Sequence, residues 1–329
     1  MDLHIHCGDC SADQLRLSGL PGDILVWKEL LHEGPTPFGL ADDAWMALRA
    51  RFLASTSTEL TVDGCLAMLQ AQDAALARFQ DYQTVTLWFD ACLYDQTILI
   101  RQLDWFARHD RGTTNLMLLC IGEFPGMPRF SGLGELSPPQ LASLLPQRQP
   151  ITAAQLALAQ QAWHAFRSPA PTTIRSFLDG DTSALPYLAD ALYRHLAQFP
   201  AAANGLNRVE QTILTALARE RQTFSTLFRT SSIQEARPFF GDTTFWSYLN
   251  TLASEPAVLT MDCQQPPLHG QSIPLDGEFR ITALGEQVLA GNADWITLHG
   301  IDRWLGGVQL TGNGPVWRWD AKQGHLCLA

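Results

Sequence analysis

The sequence predicts an α/β protein: a doubly wound, mostly parallel sheet at the N-terminus, then a helical connector, then a winged-helix-like α+β region with a short β-rich tail. Three observations predict it. Short apolar runs alternate with helical stretches through residue 121, the pattern of βα units. Each run is followed at once by a cluster of polar and glycine residues, which is where open α/β sheets carry their ligand loops. From residue 207 onward the pattern becomes three helices followed by two strand-like runs, the order of a winged helix.

Taken in order, Leu3-His4-Ile5-His6 reads as a strand and Ser11 to Leu17 as the start of a helix. Asp23 to Trp27 is a second strand. Asp42 to Ala54 is helical, with Asp42 and Asp43 in the first turn where the helix dipole favours them. A helix from about Asp63 to Phe79 precedes the strand Thr84 to Phe89, which leads to the helix Tyr94 to Arg108. Asn115 to Ile121 is an apolar strand, as expected where helices cover both faces of a parallel sheet. Gly122 to Gly134, rich in Gly and Pro, is a long loop. Ser137-Pro138 and Thr152 open two helices, the second running to Arg167, and Thr182 to Phe199 forms another. Asn207 with Glu210 makes a capping box, and helices follow to Glu220, over Thr223–Thr230 and over Thr243–Ser254. Ala257 to Asp262 and Glu278 to Ile281 are strands joined by a Pro/Gly-rich loop. Short strands at Val308–Leu310, Val316–Trp319 and His325–Leu328 close the chain. The expected domains are 1–135 (α/β), 136–200 (helical connector) and 201–329 (winged-helix-like region and tail).

Composition narrows the function classes. With 46% hydrophobic and 17% charged residues the chain can build a sizeable core. It has no run of eighteen apolar residues and no basic, apolar leader, so the expectation is a cytoplasmic protein without a membrane span. Seven cysteines spread along the chain do not form a disulfide framework and should be reduced thiols. The net charge is −11, of which residues 1–150 contribute 18 acids against 10 bases, or −8. Neither half has the basic footprint of a general nucleic-acid binder.

The polar clusters at the strand ends carry the candidate chemistry. Cys7-Gly-Asp-Cys10 has the spacing of a thiol redox motif, and with His4 and His6 it offers zinc-type ligands. Strand alternation sends the histidines and Cys7 to opposite faces, which favours a structural strand end. Gly8 allows a tight turn, and Asp9 either orients a ligand or caps the next helix. Glu29, His32 and Glu33 follow the second strand, and a His beside a carboxylate suits acid–base work. Asp90, Asp95 and Gln96 surround the third strand's end, where paired carboxylates can raise one another's pKa or hold Mg²⁺, or where Asp95 simply caps a helix. Arg194-His195 could meet an anionic group or lie on a helix surface. Trp304, Trp317 and Trp319 could stack bases, but such residues more often fill a small core. No Walker A, Gly-x-Gly-x-x-Gly, Gly-x-Ser-x-Gly or His-Glu-x-x-His motif occurs, so the familiar NTPase, dehydrogenase, hydrolase and zinc-protease readings lose support. Asp9 and Asp95 could orient substrate or a metal; no metal-ligand set is assigned, and the sequence does not name a cofactor.

These clusters together resemble a bacterial family of unknown function, the domain-of-unknown-function family 1835. The resemblance rests on Gly8-Asp9, Glu29 with Gly34-Pro35, and Trp88-Phe89 with Asp95-Gln96. It continues through Gly132–Leu136, Arg194-His195-Leu196, Gly205-Leu206 with Glu210, Gly241-Asp242 and Gly300–Gly307, nearly the whole chain. The chain departs from the family pattern at Cys10, where Ser is usual, and at Ala91-Cys92, where a His-Asp pair is expected. The resemblance carries no reaction with it.

The leading expectation is an enzyme acting on a nucleotide or another phosphorylated small molecule at the strand ends. His32, Glu33 and Asp95 are its catalytic groups. Gly8, Asp9, Glu29, Asp90, Gln96, Arg194 and His195 are its ligand-binding groups. The alternatives are a ligand-sensing regulator that binds DNA through the winged helix, and a protein-interaction module. DNA is the weaker partner, because the helices after residue 207 carry few Arg residues.

Overall fold

The computed structural model describes residues 1–262 and 277–329. Its N-terminal unit contains β1 (Asp2–Cys7), α1 (Asp9–Leu17), β2 (Asp23–Trp27), β3 (Gly34–Pro35), α2 (Asp42–Ser55), α3 (Val62–Ala77), β4 (Thr84–Asp90), α4 (Leu93–Ala107) and β5 (Asn115–Ile121). Then come α5 (Pro138–Leu144), β6 (Gln149–Pro150), α6 (Ala153–Phe166), α7 (Thr172–Leu178) and α8 (Leu188–Leu196). The sheet order is β2-β1-β4-β5-β6, with the first four strands parallel and β6 antiparallel to β5. Ile5 lies opposite Leu25 on one side and Leu87 on the other, which sets the register.

Two apolar faces make this sheet. Trp88 and Leu119, neighbours across β4 and β5, pack with Leu15 of α1 and Leu141 of α5. One residue over, Leu87, Phe89 and Leu118 point the other way and join Ile98 and Leu103 of α4 in a larger cluster. A strand buried on both faces must be apolar throughout, and β4 is buried from its second residue onward. The chain leaves β1 for β2 on one side and returns to β4 on the other. The switch point, and with it the crevice at the strand ends, therefore lies between Gly8 and Ala91.

The remainder contains α9 (Arg208–Leu217), β7 (Gln222–Thr223), α10 (Phe224–Gln234), α11 (Asp242–Ala253), β8 (Leu259–Asp262), β9 (Glu278–Ile281), α12 (Ala283–Leu289) and α13 (Trp295–His299), followed by β10 (Ile301–Gly306), β11 (Val308–Gly312), β12 (Trp317–Asp320) and β13 (His325–Leu328). Strands β7, β9 and β8 form a small antiparallel sheet, and β12 pairs with β13. The loop expected between β8 and β9 lies outside the described residues. Strand β10 pairs with β11 and, in parallel, with β3 of the N-terminal unit, setting Leu305 opposite Gly34.

Two expectations need adjustment. The sheet extends beyond residue 135, since β6 lies at 149–150, and the main hydrophobic cluster includes residues from Leu3 to Leu326. The three predicted segments thus share one core. The helix expected over Thr182–Phe199 is confined to α8, because Pro186 precedes it and cannot supply an interior N–H. Among the described residues no helix is long and apolar enough to cross a membrane.

Candidate functional site

The segment after β2 is wound around one buried arginine. Arg49 of α2 is fully buried and donates to Glu29 Oε1 at 2.7 and 3.3 Å and to the carbonyls of Leu30, Glu33 and Pro35. A guanidinium has five N–H donors in a fixed fork, so these acceptors are held in one arrangement. Gly34 has φ +73°, and a Cβ there would drive into the Phe52 ring. The result is a rigid turn that projects His32 and Glu33 away from the sheet.

Pairing of β3 with β10 brings Arg303 to Glu33. Its Nη2 donates to Glu33 Oε1 at 3.0 Å and Oε2 at 3.1 Å, and also to the Tyr248 hydroxyl at 2.6 Å. Tyr248 of α11 donates to Glu33 Oε1 at 2.7 Å, and Gln198 Nε2 donates to both at 3.2 Å. Burial raises the Glu33 carboxyl, but Arg303, His32 and the Tyr248 hydrogen bond outweigh it, so the group stays an anion below its ordinary range. Burial pushes the Tyr248 hydroxyl far up, so it stays protonated.

This network walls a cavity of about 990 Å³ that opens at the strand ends, where Gly8 and Tyr94 line it. His32 lies on the wall, fully buried, with its ring edge-on to Tyr94 at 5.6 Å and Phe239 at 5.5 Å. Neither ring nitrogen has a hydrogen-bond partner among the described residues. Burial lowers its pKa to about 4, so the imidazole is neutral at pH 7, one nitrogen a donor and the other an acceptor. Glu210 also lines the cavity. Its Oε2 caps the Asn207 N–H at 2.8 Å, and burial raises its carboxyl. Glu59, Asp242 and Asp302 add further carboxylates to the wall.

The structure brings together only some of the predicted residues. Gly8, His32 and Glu33 meet at the cavity. His32 and Glu33 share no hydrogen bond, however, and Glu33 is committed to Arg303, Tyr248 and Gln198, so the expected His–Glu acid–base pair is not formed. Asp9 is exposed, opens α1 rather than capping it, and pairs with Lys28 at 2.8 Å. Glu29 serves Arg49. Asp95 Oδ2 accepts the Asp90 N–H at 2.6 Å, while Asp90 accepts the N–H groups of Cys92 and Leu133 at 2.9 and 3.3 Å. Burial raises both carboxyls, and the Asp90 charge raises Asp95 further. With Cys92 Sγ they form a cluster of ligand-type atoms within 4.8 Å of one another, with carboxylate oxygens already engaged by backbone N–H groups, off the cavity wall. Gln96 ties β4 to β5, donating to Asp90 O at 2.6 Å and Cys120 Sγ at 3.4 Å. Arg194 is held by both oxygens of Glu235 at 2.8 and 2.7 Å. His195 is sealed between Phe166 and Phe199 and does not line the cavity.

The other motifs are structural. Cys7 is buried, Cys10 is exposed, and burial raises the Cys7 thiol well above its ordinary value, the opposite of an activated thiolate. Trp88 Nε1 donates to His4 at 3.1 Å, and Ser11 bonds His6 Nδ1 at 3.0 Å; His6 Nε2 has no partner among the described residues, but it is buried and lines neither cavity. Trp317 and Trp319 pack against the main core.

Arg303, Tyr248, Gln198, Glu210 and Phe239 were not singled out as site residues. Arg303 lies in the Gly300–Gly307 block and Glu210 in the capping box, so the signal existed for two of them. Tyr248, Gln198 and Phe239 carry no local mark. No protein-family model matches the chain, and no curated protein matches it.

Proposed function

We propose that this protein is an enzyme acting on a small polar molecule, nucleoside- or sugar-like, held in the cavity at the carboxyl ends of β1 and β2. The observation that carries this reading is His32: a fully buried imidazole on a cavity wall with both nitrogens unpartnered. A buried polar group without a partner costs about 1–3 kcal/mol, and a bound ligand removes that cost. Glu210, with a raised carboxyl and one oxygen without a hydrogen-bond partner among the described residues, is the favoured proton donor or acceptor. Arg303, hydrogen-bonded among the described residues through Nη2 and lying over the Tyr248 ring at 5.2 Å, orients the substrate with its remaining donors. Charge shapes the substrate class. Glu59, Glu210, Asp242 and Asp302 face the cavity, while Arg303 is already matched by Glu33. A nucleotide would therefore enter by its base and sugar rather than by its phosphates.

Within this reading α9–α11 with the β8–β9 hairpin are a winged-helix-like module that closes the cavity. DNA reading is disfavoured: α11 contains no Arg or Lys, opens on Asp242, and turns Thr244, Ser247, Tyr248 and Thr251 toward the cavity. The resemblance to family 1835 and a cytoplasmic setting belong to the same reading.

The test is a thermal-shift screen of nucleosides, sugars and small amines against the wild type, His32→Phe and Glu210→Gln. A ligand that raises the wild-type melting temperature and is lost on His32→Phe supports the proposal. A complete absence of shifts, or shifts unchanged in both variants, would overturn it.

A further inference from the structure

A second concavity, of about 740 Å³, lies at the carboxyl end of β5 and is independent of the His32 cavity. One wall is the loop Gly122–Ser131, stiffened by a turn in which Met127 N donates to Phe124 O at 3.0 Å. The other is the end of α10 and the segment that follows it. Three arginines line it in a protein of net charge −11: Arg129, Arg229 and Arg237. Arg129 spends one nitrogen on Ile233 O at 2.6 Å, and Arg237 spends one on Gly122 O at 2.8 Å. Arg229 has no partner among the described residues. Of the two acids on the wall, Glu235 is neutralised by Arg194 through both its oxygens, leaving Glu123 on the wall and the buried Asp90, which acts on Arg237, to oppose three cations.

The bland alternative is that Arg129 and Arg237 merely satisfy backbone carbonyls at a helix end and a strand end. It leaves Arg229 unexplained, and Arg129 and Arg237, the latter also lying over the Tyr187 ring at 5.2 Å, use fewer than their five N–H donors on these carbonyls. Phe124, Met127 and Phe130 supply an apolar wall beside the cations. From this juxtaposition we infer that the groove is a binding site for a small organic phosphate, its phosphoryl group on Arg129, Arg229 and Arg237 and its apolar body on Phe124 and Phe130. The phosphate that the acidic His32 cavity repels is accepted here by chemistry of opposite sign.

The probe is phenyl phosphate, with phenol and inorganic phosphate as controls, followed by calorimetric titration of the full chain. Binding of phenyl phosphate, weakened about tenfold or more by Arg229→Gln and by Arg237→Lys and unchanged by Arg208→Gln, the loss of an exposed cation outside both cavities, is the expected result. Arg229 is exposed and unpaired, so its variant leaves the fold intact. Three outcomes overturn the site: no binding at millimolar phenyl phosphate, binding indifferent to Arg229→Gln, or binding weakened as much by Arg208→Gln, which would show unspecific attraction to surface cations. Equal binding of phenol would show an apolar cleft and no phosphate site. Failure here leaves the His32 reading standing, because that reading depends on other residues and on uncharged ligands.

Discussion

Arg49 holds Glu29 and three backbone carbonyls at once, and the turn that presents His32 and Glu33 exists only while it does. Breaking a buried pair by removing one partner costs about 3–5 kcal/mol, since the other charge is left unpaired. Arg49→Leu should lower the unfolding free energy by that amount in urea denaturation, and adding Glu29→Leu should recover part of it. An unchanged midpoint in the single variant would show that the turn holds itself. Asp95 gives a prediction of different form. Its carboxyl is raised by burial and by Asp90, so the native state holds a proton that the unfolded chain gives up. That contribution is complete below the ordinary carboxylate value of 3.8 and is lost as pH rises through the raised native value. Asp95→Asn should therefore gain stability relative to wild type as pH rises toward 8, and a pH-independent difference between the two would refute the shift. Glu29, His32 and Glu33 were legible because they directly follow a strand end. Arg49, Tyr248 and Arg303, the partners that decide what those groups can do, stand far along the chain and leave no local pattern.

Strand β10 connects the site to the rest of the fold, and two glycines let it approach. Gly307 N donates to Phe166 O at 2.9 Å, and a Cβ at Gly307 would overlap the carbonyl oxygen of Arg167 at the end of α6. The obstacle is backbone, so relief requires moving the hairpin. Forcing extra volume into such a contact costs about 1–3 kcal/mol or more. Gly307→Ala should lower the melting temperature and, by shifting β10, loosen the Arg303–Glu33 pair; ligand affinity should fall with it, while Gly314→Ala, where a Cβ meets open space, should change neither. Equal melting temperatures for the two variants would count against a backbone-limited contact. Strands β1, β2, β4 and β5 were readable because burial demands apolar runs. The two-residue strands β3, β6 and β7 are too short for any periodicity and exist only through distant partners. Strand β10 alternates Ile301, Arg303 and Leu305, so the arginine that pairs with Glu33 interrupts the apolar face that would have announced the strand.

At the scale of the molecule, one cluster embraces both ends of the chain, and buried imidazoles lie in and beside it: His6 of β1 against Trp88, His32 on the cavity wall, His195 of α8 against Phe166 and Phe199. Burial lowers them to about 4, 4 and 3 from 6.5. The unfolded chain takes up protons near 6.5 and the native state does not, so this stability is present above 6.5 and drains away as pH falls toward 4. The raised carboxyls of Asp90, Asp95 and Glu210 act with the opposite sign over overlapping pH values. A single wild-type profile would blend the two groups, and variants separate them. His195→Phe removes one imidazole away from the cavity. Whatever its constant packing cost, its stability relative to wild type should rise as pH falls from 6.5 to about 4, by on the order of 3 kcal/mol. Equilibrium unfolding at four or five pH values measures the slope. A flat difference would mean that the His195 imidazole already finds a proton or a partner in the native protein, and the neutral, unpartnered state argued for His32 by the same physics would lose its support as well.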